Sequence, residues 1–328
     1  MPNILIIGAT GYVGTALSQS LLRSGNHRVY GLARSPEKAL SLSANEVTPI
    51  LSASASTLTN TLTTAISAHR IDIIVDVSGA NKESSSLLAL VKQIGASRLS
   101  NSQKSSTLVP KLGFIYCSGT WVHGSSNEMV NDLMPVGTDD APTAPAELVA
   151  WRCELEKEVL DARDVLDVMV VRPALVYGRS CAIWTGLFEP LLQAAQAEKG
   201  EVGQQVVRIA ADEESRPGLV HVDDVASGFH CAVDKLSVIS GTGTYPVFDL
   251  QTSQESMRDV LVAAAREMGY KGKVELAGTG DDLFAKAMCT TGNCSSGRAK
   301  IILGWEPRRE GFVEGMSVFV KSWEASRG

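Results

Sequence analysis

Apolar residues fall along this chain in short unbroken runs that alternate with helical stripes. Ile4-Leu5-Ile6-Ile7 is such a run, closed by Gly8, and it suits a strand buried on both faces of a parallel sheet. Residues 15 to 24 then place Leu17, Leu21 and Leu22 on one stripe, with Gly25-Asn26 as the stop. Arg28 to Ala33 completes a βαβ unit. The alternation continues with a strand from Val47 to Leu51 and a solvated Ser/Thr-rich helix near 56 to 68, where Leu58, Leu62 and Ile66 keep helical spacing. A strand from Ile71 to Val77, a helix near 83 to 95 and a strand from Gly113 to Cys117 follow. Ser97 to Ser106 lacks such spacing and predicts a mobile surface loop. Ser118 to Ala146, with Pro135, Pro142 and Pro145, predicts a long connection before a charged helix at 147 to 162 and a strand from Val168 to Val171.

This order predicts an α/β fold, a Rossmann doubly wound parallel sheet with a smaller C-terminal substrate lobe. The core takes residues 1–178, joined by about 221–250 through a strand at Val247 to Leu250, and the lobe takes 179–220 and 251–328, interleaved with the core. With 44% hydrophobic and 20% charged residues, the chain reads as an ordinary globular protein. Thirty basic residues against 36 acidic ones, with no basic run, exclude nucleic acid as the expected partner. No apolar stretch approaches the ~20 residues of a bilayer span, and Met1 to Gly8 enters a strand directly, so no membrane is expected and the cytoplasm is the default location. Cys117, Cys153, Cys181, Cys231, Cys289 and Cys294 are scattered; Cys289 and Cys294 lack a second Cys or His pair, so free thiols and no metal site are expected.

The sharpest local signal is Gly8-Ala9-Thr10-Gly11-Tyr12-Val13-Gly14, between the first strand and its helix. The first glycine permits a tight turn, the second lets backbone approach a pyrophosphate, and the third allows close helix packing, with the helix N-terminus facing the negative charge. Gly8, Thr10, Gly11, Tyr12, Val13 and Gly14 are therefore the expected dinucleotide contacts. The second strand ends in Ala33-Arg34-Ser35, without the carboxylate that would hold a ribose 2′-hydroxyl. Arg34 suits a 2′-phosphate instead, assisted by Ser35 or Lys38, so NADP(H) is the expected cofactor.

With these residues in place, the chain resembles the extended short-chain dehydrogenase/reductase superfamily, in particular its atypical members and the nucleotide-sugar epimerase relatives. Phe114 to Gly124 looks like that family's fifth strand and active-site loop, and Val171-Arg172-Pro173-Ala174-Leu175-Val176-Tyr177-Gly178 like its sixth strand and the turn beside the nicotinamide. Val220 to Ala226 is similar to the helix-capping segment that ties the lobe to the core, and Ser295 to Pro307 to the C-terminal signature. The resemblance adds Ser78, Gly79, Pro173 and Val176 to the cofactor contacts. It also implies a Tyr-x-x-x-Lys pair on a helix, whose spacing puts both side chains on one face.

That pair is missing. None of Tyr12, Tyr30, Tyr116, Tyr177, Tyr245 and Tyr270 has Lys four positions on, and aligning the helix by Glu156 and Leu160 puts Leu148 and Arg152 in the two places. Arg152 either holds the ribose hydroxyls or a substrate carboxylate, or belongs structurally to the charged helix. Trp151 either stacks on a substrate ring or packs under the loop. Ser118 or Thr120 is expected to orient the substrate oxygen. His123 is either a proton donor or a structural histidine, and His221, before Asp223 and Asp224, is expected to fasten the lobe. No His-Glu-x-x-His, phosphate-loop lysine or Gly-x-Ser-x-Gly occurs. The expected function is an NADP(H)-dependent oxidoreductase acting on a small-molecule substrate as a monomer or homodimer. Two alternatives stay open, a non-redox isomerase, epimerase or cyclase with structural NADP(H), and a redox-sensing NADP(H)-binding regulator.

Overall fold

A computed structural model of the protein describes residues 1–52, 54–79, 83–105, 109–197, 206–309 and 311–327. The first half alternates strictly: β1 (Asn3–Ile7), α1 (Tyr12–Ser24), β2 (Arg28–Ala33), α2 (Pro36–Ala44), β3 (Thr48–Leu51), α3 (Ala55–Ala68), β4 (Ile73–Asp76), α4 (Glu83–Ser105) and β5 (Leu112–Cys117). A long connection carrying β6 (Val130–Asn131) leads to α5 (Trp151–Asp161), β7 (Leu166–Pro173), β8 (Leu175–Tyr177), α6 (Thr185–Ala197), β9 (Val206–Ile209), β10 (Gly218–His221) and α7 (Val222–Ser240). The chain closes with β11 (Val247–Leu250), β12 (Ser253–Gln254), α8 (Met257–Glu267), β13 (Lys273–Leu276), α9 (Leu283–Met288), β14 (Cys294–Ser295) and α10 (Met316–Ala325).

Seven strands form one parallel sheet in the order β11-β7-β5-β4-β1-β2-β3, with β4 central and β1 beside it. Its apolar runs follow from burial on both faces. Ile4 and Ile6 of β1 enter the core under α1 and α7, whereas Leu5 and Ile7 enter the opposite core with Leu62, Leu88 and Val159. A third core joins Trp184, Phe188, Leu261, Phe312 and Trp323 away from the sheet, and Tyr177 stacks on Phe312 with ring centroids 4.6 Å apart. Ala299, Leu303 and Trp305, expected in the lobe, pack instead in the core beside α7, where Trp305 Nε1 donates to Asp224 O at 2.9 Å.

Two expectations about the connections change. The segment from Ser97 continues α4 as far as Ser105 instead of forming a loop, while Ser106 lies outside the described residues. Its polar residues extend a solvated helix, and Arg98 Nη1 fastens it by donating to Ile71 O at 3.0 Å. The connection after Ser118 contains a short 3-10 turn at Thr120–His123, and β6 pairs with β14, which pins the loop to the C-terminal part of the chain. Among the described residues all six cysteines are free, and no helix is long and apolar enough to cross a membrane.

His221 closes the join between the sheet and the third core. It caps α7 with its ring, Nδ1 accepting from Asp223 N at 3.0 Å. Burial, the largest influence, pushes its pKa down from 6.5 to about 4, which keeps Nδ1 free to accept. The unfolded chain therefore takes up this proton before the folded one does. The stabilising contribution is complete above pH 6.5 and is lost as the pH falls towards 4. Between those limits urea stability should drop with a slope on the order of 1 kcal/mol per pH unit from this group. In His221→Asn, which keeps a capping side chain, the acid-side slope should be shallower; an unchanged slope would remove His221 from the account.

Candidate dinucleotide and substrate site

The carboxyl ends of β1, β2, β4 and β5 converge on one edge of the sheet, the edge at which open α/β folds bind ligands. The turn from β1 into α1 is drawn tight by Gly11 N–H, which donates to Gly8 O at 2.8 Å. Gly8 has φ +88°, and a Cβ there would lie 2.6 Å from Ser78 Cα. At Gly14 a Cβ would lie 2.0 Å from Gly8 O, so the first turn of α1 seats directly on the strand end. Thr10, Tyr12 and Val13 are half-buried on this turn. Tyr12 also spans the groove, its hydroxyl donating to Gly178 O at 2.5 Å, and burial holds its pKa well above the usual phenol value.

A cavity of about 350 Å3 lies beside the turn, between Ile7, Leu32 and Arg34 on one side and Ser78, Glu83 and Ser84 on the other. Ser35 caps α2, accepting from Lys38 N at 3.3 Å. Gly79 has φ +96°, and among the described residues nothing lies within 4 Å of where its Cβ would stand. Arg34 is exposed, but it is not unpaired, since Nη2 donates to Glu83 Oε2 at 2.9 Å. The carboxylate absent from the end of β2 is thus supplied from the start of α4, a placement no local pattern disclosed. Asp76, at the end of β4, was likewise missed. It is 2% exposed and accepts from Ser78 N at 3.0 Å and Ser78 Oγ at 2.6 Å, while burial pushes its carboxyl above the usual range. A carboxylate ending a buried parallel strand was the available signal.

At the substrate end, Arg152 in the first turn of α5 is buried and reaches the loop after β5, its Nη1 within 3.1 Å of where a Gly119 Cβ would stand. Among the described residues, Arg152 Nε and Ser118 Oγ are both buried without a hydrogen-bond partner. Thr120 is buried in the same loop and Leu148 half-buried ahead of α5. Pro173 ends β7, its carbonyl oxygen 3.5 Å from that same Gly119 Cβ position, and Val176 is half-buried on β8. Trp151 packs against the sheet's core.

Of the two readings of His123, proton donor or structural histidine, the geometry favours the structural one. His123 is 2% exposed and its Nε2 lies 2.9 Å from Asp249 Oδ2 and 3.4 Å from Arg172 Nη1. Arg172 Nε donates to both oxygens of Glu156 at 3.0 Å, Nη2 donates to Glu156 as well, and Nη1 stands 3.7 Å from Asp249 Oδ1. Asp249 N donates to Asp132 Oδ2 at 3.2 Å, and Arg298 Nη1 donates to Asp132 Oδ1 at 2.8 Å. His123 is therefore committed to a buried charge network that joins the loop, α5, β7 and β11. Proton exchange with a ligand would require breaking it.

The turn and the orphaned donors fit a dinucleotide: backbone clears the space a pyrophosphate needs, and two buried polar atoms await partners. Sheet, turn and groove define the class, a Rossmann-fold protein whose ligand edge is built from β1, β2, β4 and β5. The chain belongs to the NAD dependent epimerase/dehydratase family, whose model matches residues 4–247. No curated protein matches the sequence significantly. Among solved structures, it is similar to dTDP-glucose 4,6-dehydratase from Bacillus anthracis in complex with NAD, at 17% identity and TM-score 0.68, covering 99% of this chain and 97% of that one. It is also similar to UDP-glucuronic acid 4-epimerase from Bacillus cereus in complex with UDP-glucuronic acid and NAD, at 15% identity and TM-score 0.65, covering 99% of each chain. UDP-glucose 4-epimerase from Thermus thermophilus in complex with NAD matches at 17% identity and TM-score 0.66, again covering 99% of each. At these identities the likeness is one of fold.

Proposed function

We propose that this protein is an NADP(H)-dependent oxidoreductase that acts on a small organic substrate without a Tyr–Lys relay. The observation that carries the reading is the pair of buried, unpartnered polar atoms Ser118 Oγ and Arg152 Nε on either side of Gly119, with Leu148 in place of a phenol. Ser118 donates a hydrogen bond to the substrate oxygen and orients it, and Thr120 shapes the same loop. Arg152 holds ribose hydroxyls or a substrate carboxylate and keeps its proton. The nicotinamide supplies or removes the hydride when bound. With His123 bound to Asp249 and Tyr12 to Gly178, the proton comes from water or from the substrate itself.

Family membership and the neighbours crystallised with NAD support a nicotinamide cofactor and an enzyme. Arg34 supports the phosphorylated form, through charge-assisted bonds to a 2′-phosphate with Ser35 and Lys38 near by. Glu83 favours a second reading, in which its carboxylate takes the ribose hydroxyls of NAD(H) and Arg34 only neutralises it. Fluorescence titration with NADPH and NADH separates them. Arg34→Ala should weaken NADPH roughly ten- to hundredfold and leave NADH nearly unchanged, whereas Glu83→Gln should tighten NADPH by freeing Arg34. Wild-type preference for NADH, with Glu83→Gln weakening it, selects the second reading. Tight binding of cofactor with no substrate-linked change in reduced-nicotinamide absorbance, across sugar nucleotides and small carbonyl compounds, would reject net redox chemistry.

A further inference from the structure

Far from the groove, at the opposite end of α1, three side chains from distant parts of the sequence meet. His27 follows α1, about 18 Å along the helix from the glycine turn by helical rise. His230 and Asp234 lie one turn apart on α7. His27 Nε2 stands 2.9 Å from Asp234 Oδ1 and His230 Nε2 stands 3.6 Å from Asp234 Oδ2; the ligand atoms of all three fall within 4.8 Å of one another. We propose that His27, His230 and Asp234 form a binding site for a divalent transition cation of the zinc type, clamping the end of α1 to α7.

The placement of the ring nitrogens carries the argument. Ser24 Oγ lies 2.7 Å from Leu21 O and 3.2 Å from His27 Nδ1, which holds that side of the ring and leaves Nε2 facing the Asp234 carboxylate at 2.9 Å. Ser20 Oγ holds His230 Nδ1 at 2.9 Å, which turns Nε2 of that ring to the same carboxylate. A hydroxyl behind each ring is the outer support that orients metal-binding imidazoles.

Size and access agree. Tetrahedral Zn2+ with ligands at about 2.0–2.2 Å sets neighbouring ligand atoms roughly 3.3–3.5 Å apart. The two contacts to Asp234, 2.9 and 3.6 Å, bracket that separation, and all three ligand atoms lie within 4.8 Å of one another, so adjustment of the side chains around an ion closes the site. The Asp234 side chain is 50% exposed against 2% for His27, which leaves an open side for entry of the ion and for a water as fourth ligand. The sequence offered no metal motif because the histidines are far apart in the chain, and His27 and Asp234 stand 207 positions apart. This inference is independent of the cofactor and of the reaction.

The test uses the full chain, free of affinity tags and stripped with a chelator, titrated with ZnCl2 by calorimetry and with CoCl2 by visible absorption. One equivalent of Zn2+ should bind, raising Tm by mass action. Asp234→Asn and His230→Gln should each weaken binding more than tenfold, and Ser20→Ala by roughly ten- to hundredfold through the outer support. Cobalt should show four-coordinate nitrogen and oxygen bands without a thiolate charge-transfer band. Absence of saturable Zn2+ binding, unchanged affinity in Asp234→Asn and His230→Gln, or a thiolate band from one of the six cysteines would each overturn the proposal. The wild-type cobalt spectrum decides the matter even if a variant fails to fold.

Discussion

Replacing Glu156 with alanine should cost about 3 kcal/mol of folding stability, the lower end of the 3–5 kcal/mol typical when one partner of a buried ion pair is removed. Arg172 and Glu156 are each 2% exposed, and the guanidinium directs both Nε and Nη2 at the one carboxylate. Truncation leaves Arg172 charged, since a guanidinium keeps its proton near neutral pH even without Glu156, and leaves it buried without its main partner. The lower end applies because Asp249 Oδ1 remains 3.7 Å from Nη1. The urea midpoint should fall at unchanged slope, which marks lost stability instead of a change in the unfolded state. Removing both charges, as Glu156→Leu with Arg172→Met, should recover most of the loss, because two apolar groups of similar volume carry no desolvation penalty. A single-variant loss below about 1 kcal/mol, or a double variant no better than Glu156→Ala, would contradict this account.

Gly14→Ala should remove measurable cofactor binding. The added methyl would stand 2.0 Å from Gly8 O, 2.7 Å from Gly8 C and 2.8 Å from Ala9 Cα, all backbone atoms that no rotamer change can withdraw. The helix must lift from the strand end, and its N-terminus then no longer faces the position of the pyrophosphate. Stability should fall by about 2–3 kcal/mol, towards the upper end of the usual cost of overpacking, and affinity for NADPH at least a hundredfold. Gly186→Ala in α6 is the control, since among the described residues nothing lies within 4 Å of its Cβ position. It should be neutral or gain up to about 1 kcal/mol from helix propensity. Thermal melts with and without NADPH read both quantities. Retained binding in Gly14→Ala would mean that the turn does not hold the dinucleotide.

The first βαβ unit was legible because its determinants are local. Arg28 to Ala33 forms β2 to the residue, and α1 starts at Tyr12, three residues before the expected start at Thr15, because the glycine turn allows the helix to begin at once. The extension of α4 was not legible. Ser97 to Ser105 carries no apolar periodicity, and what secures it is a bond from Arg98 to Ile71 O on a different element.

Site residues divide in the same way. Gly8, Gly11 and Gly14 could be read directly, since backbone clearance depends on the residue itself and its close neighbours. His123 could not, because its partner Asp249 is 126 positions away. The same holds for Arg34, whose partner Glu83 is 49 positions on and met through the α4 N-terminus. By itself, the sequence determined the parallel sheet and the tight glycine turn that opens α1, because hydrophobic period and glycine spacing act within a few residues. Only the tertiary structure decided which charged side chains are already engaged with one another. That pairing requires strands and helices distant in sequence to be packed side by side, where burial leaves no water to substitute for a missing partner.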